Sequence, residues 1–154
     1  MRRSGGPATR LVKIAIFAIV ALLALFSIHS ALEGRALVAV VSGSSMLPLL
    51  RSGDLVFVEA KKSHEIKVGD IIVYRSVRGH LIIHRVIGVV DAGTGVEFVT
   101  KGDSNPFDDS FLGEYRVGRG VPYERVVGVV WSPLGIPFKL PYVGVLGLLL
   151  RAAN

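Results

Sequence analysis

The 154-residue chain is 51% hydrophobic and has a mean hydropathy of +0.55. These values are too high for an ordinary soluble domain, and the absence of cysteine excludes disulfides, thiol catalysis and thiolate metal sites. Part of the net charge of +6 comes from basic residues that flank the first apolar run. The rest of the chain has no basic stripe with interleaved aromatic residues, so nucleic-acid binding is not expected.

The first predicted element is a transmembrane anchor over residues 11–30, preceded by a basic segment over residues 1–10. The run contains one charged side chain, Lys13, and about 20 apolar residues suffice to span a bilayer core as a helix. A cleaved signal peptide is the alternative, because residues 27–31 offer small side chains. Basic residues precede the run and few follow it, so the positive-inside rule places residues 1–10 in the cytoplasm and the remainder on the far side of the membrane.

After the anchor, the pattern changes to short runs rich in valine and isoleucine, separated by turns that contain glycine. Such runs are typical of β-strands, and no long helical period appears among them. The predicted strands cover residues 36–42, 54–60, 70–77, 81–90, 95–101 and 125–131. Short strands with tight connections indicate a mostly β fold class, a small antiparallel barrel or sandwich over residues 36–147.

Two other stretches differ from the strands. Residues 102–120 are polar and rich in turn formers, and a loop of this length in a compact β domain is more often functional than idle. Residues 134–150 are apolar, but their uninterrupted part, residues 140–150, is too short to span a bilayer. This favours a final strand with a membrane-contacting end, followed by a tail over residues 148–154.

Three features could carry chemistry: a serine-rich turn, a histidine within a strand, and the carboxylates of the polar loop. Ser45 lies in the turn, and a serine hydroxyl becomes a nucleophile when a positioned base takes its proton. His84 lies in an apolar strand, where alternation places it on one face with Ile82 and Val86. A loop carboxylate, Asp103 or Asp109, could fix the tautomer of such an imidazole.

Each feature also has a structural interpretation. The serine could be a cap or a turn residue, and the histidine could be satisfied by backbone groups. The string from Gly102 to Pro106 could be a simple turn or a weak calcium loop. Calcium loops need more closely spaced oxygen ligands and a distal glutamate, which are missing in this register, so neither a metal nor another cofactor is expected.

Taken together and in this order, the motifs resemble type I signal peptidase in its archaeal and endoplasmic-reticulum branch. The resemblance covers about residues 36–147 and includes Gly128 and the segment Pro141-Tyr142-Val143-Gly144. Its motifs are Ser45-Met46-Leu47-Pro48, Arg51-Ser52-Gly53-Asp54, Gly69-Asp70-Ile71-Ile72-Val73, His84-Arg85-Val86-Ile87, and Thr100-Lys101-Gly102-Asp103-Ser104-Asn105 through Asp108-Asp109.

The resemblance implies a role for each matching residue: Ser45 as nucleophile, His84 as general base in place of the bacterial lysine, Asp109 as triad acid, and Asp103 as its hydrogen-bonding support. The chain departs from the usual Ser-Gly-Ser-Met pattern by one extra serine, so Ser44 competes for the nucleophile position. In bacterial members a serine two positions before the nucleophile helps to stabilise the oxyanion, and that position here is Gly43.

The implied activity is that of a membrane-bound serine endopeptidase that removes N-terminal signal peptides from exported preproteins. Its expected location is the cell membrane or the endoplasmic-reticulum membrane, in a single pass, with preproteins and membrane lipid as partners. Oligomeric state and accessory subunits stay open. A non-catalytic, membrane-anchored β interaction module is the main alternative. An intramolecular protease of the repressor-cleaving type would need a catalytic lysine and no anchor, and neither fits.

Overall fold

The computed structural model describes residues 7–32, 38–142 and 144–145, and the chain divides into two compact units, Met1–Arg35 and Ala36–Asn154. The first unit contains helix α1, Pro7–Leu32. Among the described residues, no helix meets the length and apolarity needed to cross a membrane. The helical conformation expected for residues 11–30 is confirmed, and their passage through a membrane stays a prediction.

The second unit is an antiparallel β domain, which confirms the predicted mostly β class. Its strands form one sheet in the order β1-β2-β7-β3-β4-β5-β6, and β8 pairs with β2. The strands are β1 (Val38–Val40), β2 (Leu55–Glu59), β3 (Ile71–Arg75), β4 (Leu81–Asp91), β5 (Val96–Lys101), β6 (Val121–Pro122), β7 (Val126–Val130) and β8 (Lys139–Leu140). Short 3-10 turns cover Ser63–Glu65, Tyr123–Arg125 and Pro133–Gly135.

Most predicted strands match the observed ones within a few residues. Strand β6 was missed, and β8 is the final strand expected in the apolar C-terminal stretch. Parts of the predicted organisation lie outside the described residues, namely residues 1–6, the start of the first strand at 36–37, residues 146–147 and the tail at 148–154.

Strand β3 lies between β7 and β4 in the sheet, and it is buried on both faces. Its alternating side chains enter two apolar clusters. Ile71 and Val73 pack with Met46 and other residues of the first cluster, whereas Ile72 and Tyr74 pack in the second. The sheet is therefore covered on both faces at β3, and the buried side chains of this strand are held in fixed directions.

Strand β4 changes partner along its length. Its first half, Leu81 to Arg85, pairs with β3, and its second half, from Arg85 to Asp91, pairs with β5. The register shifts between Val86 and Gly88, which marks a β-bulge. Bulges bend a strand and redirect its side chains, and this one lies two to three residues after His84.

The polar loop after β5 is attached to the sheet by the buried carboxylate of Glu114. This group accepts hydrogen bonds from Ser76 Oγ (2.7 Å), the Val77 N–H (2.9 Å) and Arg125 Nη2 (2.6 Å). Burial alone would raise the pKa of Glu114, but these three donors outweigh it and lower the pKa below its ordinary value. The ionised carboxylate therefore fixes the loop against the β3–β4 turn.

Replacing Glu114 with Gln should lower the free energy of unfolding by about 1–3 kcal/mol at pH 7, because the Arg125 guanidinium loses its anionic acceptor. Since the pKa of Glu114 is lower in the folded state, its contribution is present above the unfolded-state pKa and is lost as the pH falls through the folded value. The difference between wild type and Glu114→Gln should therefore shrink below about pH 4.

Urea unfolding followed by the fluorescence of Trp131, the single tryptophan, measures both effects. Glu124→Gln removes an exposed carboxylate and should change stability by less than about 0.5 kcal/mol. A Glu114→Gln difference that stays constant from pH 7 to pH 3 would contradict the proposed ionised anchor.

Candidate active site

Ser45 begins a tight turn that follows β1. The Leu47 N–H donates to the Ser44 carbonyl (3.1 Å), and the Leu50 N–H donates to the Met46 carbonyl (2.9 Å). Met46 and Leu50 are buried in the first apolar cluster. These two side chains secure the turn, and Ser45 is left partly exposed. Residues 44–50 are called the Ser45 turn below.

The polar loop after β5 contacts the Ser45 turn directly. The Ser104 N–H donates to the Ser45 carbonyl (2.9 Å), and Ser104 Oγ donates to the Ser44 carbonyl (2.8 Å). Gly102 passes so close that a Cβ there would lie 2.7 Å from the Ser45 carbonyl oxygen and 2.9 Å from the Ser45 Cβ. A glycine is needed at this position because the two backbones approach too closely for a side chain.

Ser45, His84 and Asp109 form one hydrogen-bonded line. His84 Nε2 lies 2.9 Å from Ser45 Oγ, and His84 Nδ1 lies 2.7 Å from Asp109 Oδ2 and 2.8 Å from Oδ1. In the neutral tautomer that suits these contacts, Nδ1–H donates to the carboxylate and Nε2 accepts the serine hydroxyl proton. Such an arrangement can convert a serine hydroxyl into a nucleophile.

The position of His84 follows from the alternation along β4. Ile82 and Val86 pack with the second apolar cluster, whereas Ile83 packs with the first. His84 shares the face of Ile82 and Val86, as predicted, and lies opposite Ile72 of β3. It is 3% exposed, so its ring is held by packing as well as by its two hydrogen bonds.

Asp109 is completely buried, and two hydroxyl groups donate to the same carboxylate oxygen that faces His84. Thr100 Oγ1 lies 2.6 Å and Tyr74 Oη 2.8 Å from Asp109 Oδ2. Burial and the neighbouring Asp109 charge raise the pKa of Tyr74 far above its ordinary value, so this hydroxyl stays protonated and donates. The two hydroxyls stabilise a buried charge that has no access to water.

Sequence reasoning missed Tyr74 and Thr100 as members of the site. Thr100 belongs to the motif that begins Thr100-Lys101-Gly102, so the sequence offered a signal for its involvement. Alternation along β5 places Thr100 on the same face as Phe98 of the second cluster. Tyr74 ends a run of apolar strand residues and carried no signal of its own.

The expectation that Asp103 supports the triad acid by hydrogen bonding is corrected by the structure. Both Asp103 oxygens accept from Arg85 instead, with Nε at 2.7 Å and Nη2 at 2.6 Å. Arg85 also donates to the Gly69 carbonyl (2.8 Å). The physical reason is strand alternation: Arg85 follows His84, so its side chain leaves the opposite face of β4 and meets Asp103 there.

A cleft of about 850 Å³ opens beside Ser45 and His84. Strand β1 lines one part of it and the first residues of β4 line another, with Asn105 and Leu112 from the polar loop. The lining is largely apolar and includes Val38, Val40, Met46, Leu81, Ile82 and Ile83. In the described part of the chain, no group of three or more His, Asp or Glu side chains could hold a metal ion.

Comparison with known proteins gives one family match and several relatives. The Peptidase S24-like family model matches residues 23–113. A signal peptidase complex catalytic subunit from Sclerotinia sclerotiorum is 35% identical over 116 residues, which cover 73% of this chain and 63% of the relative. The human signal peptidase complex catalytic subunit SEC11C is 36% identical over 116 residues, which cover 74% of this chain and 57% of the relative.

A third relative, the signal peptidase complex catalytic subunit of Verticillium alfalfae, is 31% identical over 115 residues, with 73% of this chain and 63% of the relative covered. The chain thus spans about three fifths of the length of these curated relatives. Their names and the family match confirm the resemblance to type I signal peptidase that the motifs indicated.

Replacing Gly102 with Ala should push the Ser45 turn away from the polar loop, because the new Cβ would overlap the Ser45 carbonyl and Cβ. We expect a loss of about 1–3 kcal/mol in stability. Labelling of Ser45 by a serine-reactive phosphonate should slow by about tenfold or more, since small displacements of reacting groups have large kinetic effects.

Gly88→Ala is the matched control, because a Cβ at Gly88 would meet Val99 at ordinary contact distances of 3.4–3.5 Å. Labelling rates measured by mass spectrometry compare the two variants. If Gly102→Ala reacts as fast as Gly88→Ala, the close approach of the loop does not control the position of Ser45.

Proposed function

We propose, from the premise that this chain belongs to the Peptidase S24-like family, that it is a serine endopeptidase which removes N-terminal signal peptides from exported preproteins. The observation that carries this proposal is the hydrogen-bonded line from Ser45 Oγ through His84 to Asp109. The names of the relatives, which describe catalytic subunits of a signal peptidase complex, supply the substrate class.

In the proposed reaction Ser45 Oγ attacks the carbonyl carbon of the scissile peptide bond. His84 Nε2 lies in hydrogen-bond contact with the hydroxyl and takes its proton as the bond forms. The imidazolium then gives this proton to the leaving amine, which departs with the mature protein. A water molecule attacks the acyl-enzyme, again with His84 as base, and releases the signal peptide.

Asp109 is the proposed orienting acid. Its carboxylate holds the Nδ1–H of His84 and would offset the positive charge that forms on the ring. The hydroxyls of Tyr74 and Thr100 are uncharged donors, so they fix the carboxylate without cancelling its charge. Asp103 is paired with Arg85 and supports the site through the polar loop.

Ser45 is the proposed nucleophile, ahead of Ser44. Ser45 Oγ is the hydroxyl at 2.9 Å from His84 Nε2. The Ser44 carbonyl accepts hydrogen bonds from Leu47 N–H and from Ser104 Oγ, which supports a framework role for Ser44 in the turn. Both observations support the register in which the family pattern is aligned on Met46 and Pro48.

The cleft supplies a binding site for an extended peptide. Strand β1 is at one end of the strand order, and Val38 and Val40 of this strand are exposed. A peptide can add to such an edge through main-chain hydrogen bonds, with alternate side chains entering the apolar lining. Signal cleavage sites carry small residues at the first and third positions before the cut, and a bound peptide would present these side chains to the apolar lining.

Purified chain reconstituted in lipid should cleave a preprotein at its signal-peptide junction. Ser45→Ala, His84→Ala and Asp109→Asn should each lower kcat/KM by about a thousandfold or more, because the three residues act as one unit. Ser44→Ala should stay within about threefold of wild type, since its hydroxyl makes no contact with the base in this arrangement. Peptide products identified by mass spectrometry give the cleavage site, and thermal unfolding verifies folding of each variant.

Ser42→Ala is a matched control for the serine-rich turn. Full cleavage by Ser45→Ala with loss in Ser44→Ala would move the nucleophile by one residue. Retained activity in His84→Ala would remove histidine as the base. The wild-type chain and Ser45→Ala should also be compared at equimolar enzyme and preprotein. If both cleave the same small amount of preprotein, a non-catalytic interaction module is favoured instead.

We also propose that α1 anchors the β domain to a membrane. Many apolar side chains of α1 are exposed in the structure, among them Leu11, Phe17 and Leu22, and residues 14–28 contain no charged side chain. A lipid environment would remove this apolar surface from water. Anchoring would hold the catalytic domain, on the extracytoplasmic side, in the plane where signal peptides emerge.

Full-length chain should stay with the membrane pellet after extraction with alkaline carbonate. The double variant Ile16→Lys with Val20→Lys should shift to the soluble fraction, because each lysine near the middle of a spanning helix costs about 3 kcal/mol. Val68→Lys with Val117→Lys adds the same charge at exposed positions of the β domain and should stay in the pellet. Release of the wild-type chain by carbonate would contradict the membrane anchor. If the mass of the intact protein corresponds to a chain without residues 1–30, these residues act as a cleaved leader instead.

A further inference from the structure

The ammonium group of Lys139 reaches from strand β8 to the far end of the Ser45 turn. Its Nζ donates to the Leu49 carbonyl (2.7 Å) and to Asp54 Oδ2 (2.7 Å). Lys139 is 28% exposed at its side chain and Asp54 is 1% exposed. The lysine therefore joins β8 to two neighbouring segments much earlier in the chain, the Ser45 turn and the turn before β2.

The Leu49 carbonyl lies near the end of the Ser45 turn. The Leu50 N–H closes this turn on the Met46 carbonyl. Lys139 donates to the Leu49 carbonyl, four residues after Ser45, and so gives a partner to a main-chain acceptor at the end of the turn.

Asp54 compensates the lysine charge. Burial alone would raise the pKa of Asp54, but the hydrogen bonds from Lys139 and from the Arg51 N–H (3.0 Å) outweigh burial and lower the pKa. The aspartate is therefore ionised at neutral pH. A buried ion pair often stabilises a fold no better than apolar residues of the same size, so its value here lies in the geometry that it imposes.

The segment that carries Lys139 also contacts the other wall of the cleft. Lys139 and Leu140 pair with Val56 and Leu55 of β2, the same two residues that pair with β1. Farther along, the Gly144 N–H donates to the Gly53 carbonyl (3.0 Å), and a Cβ on Gly144 would collide with Val40. The segment thus lies close to Val40 of β1 at Gly144, and it contacts the Ser45 turn through the Lys139 side chain.

We propose that Lys139 is a positioning residue for the nucleophile: by holding the Leu49 carbonyl, it keeps the Ser45 turn at the distance from His84 that proton transfer requires. This inference rests on the function proposed above. Without Lys139 the end of the turn would relax and Ser45 Oγ would move relative to His84 Nε2. The strands that line the cleft would keep their place, so substrate binding would change less than the chemical step.

A double-mutant cycle separates positioning from charge compensation. Lys139→Met removes the donor to Leu49 and leaves Asp54 buried without its cation, whereas Asp54→Asn keeps the Lys139 bond to Leu49. The double variant Asp54→Asn with Lys139→Met removes both charges and should fold as stably as wild type. We expect kcat to fall about 10- to 100-fold in Lys139→Met and in the double variant, with KM within about twofold, and to change little in Asp54→Asn.

Lys61→Met is the matched control, because Lys61 pairs with Glu59 and Asp70 on the same domain and should leave kcat unchanged. Wild-type kcat in a well-folded double variant would overturn the proposal, since it would mean that Lys139 serves only to neutralise Asp54. A loss of kcat in Asp54→Asn equal to that in Lys139→Met would overturn it as well.

Hydrogen exchange of the Leu50 amide tests the same contact without any assay of activity. This amide bonds to the Met46 carbonyl within the turn, so it should exchange about tenfold faster in the double variant and at the wild-type rate in Lys61→Met. Unchanged exchange in the double variant refutes the positioning role. If the exchange responds as expected but wild-type chain cleaves no preprotein, the proposed function fails and the structural part of the inference stands.

Discussion

A fully buried carboxylate, Asp109, is the group on which the rest of the site depends. A charge that is cut off from water is stable only when protein donors replace the lost hydration. Three adjacent strands supply these donors: Tyr74 comes from β3, His84 from β4 and Thr100 from β5. The order β3-β4-β5 in the sheet is therefore also the order that assembles the site.

The two aspartates that the sequence indicated, Asp103 and Asp109, differ in the hydrogen-bond donors that surround them. Asp103 meets the guanidinium of Arg85 in a two-point contact, so its charge is already compensated by a permanent cation. Asp109 meets two neutral hydroxyls and an imidazole. In the proposed mechanism, only the second arrangement leaves a negative charge available to a histidine that becomes positive during the reaction.

Much of the fold could be predicted from the sequence because β-strands of five or more residues show their alternation locally. Strand β6 was missed because its two residues are too short for any period to appear. Strand β8 is equally short, and its expectation came from the apolar composition of residues 134–150. Within β4, alternation was enough to place His84 with Ile82 and Val86. It could not place Asp103, because the face of β4 that a later loop meets depends on contacts between distant segments.

The same limit applies to Tyr74 and Lys139. Tyr74 looks like the end of a buried strand, and its partner Asp109 is 35 residues away. Lys139 looks like an interruption in an apolar stretch, and its partners Leu49 and Asp54 are 90 and 85 residues away. Local patterns report which residues are buried and how strands alternate. They do not show which side chains from distant segments come into contact, and this site is formed by such long-range contacts.

The extra serine before Met46 has a consequence for how the oxyanion would be stabilised in the proposed reaction. Gly43 occupies the position where bacterial signal peptidases carry a helpful hydroxyl, and its φ is +100°. A side chain there would have open space around it, but the left-handed backbone favours glycine and disfavours serine. The backbone conformation, and not a lack of space, therefore disfavours a serine at position 43. Because a hydroxyl at this position is disfavoured, negative charge on the substrate oxygen would have to be met by backbone N–H groups such as that of Ser45. The precise position of the Ser45 turn then matters for two reasons, since the same turn would present both the nucleophile and the donor that stabilises the product of its attack.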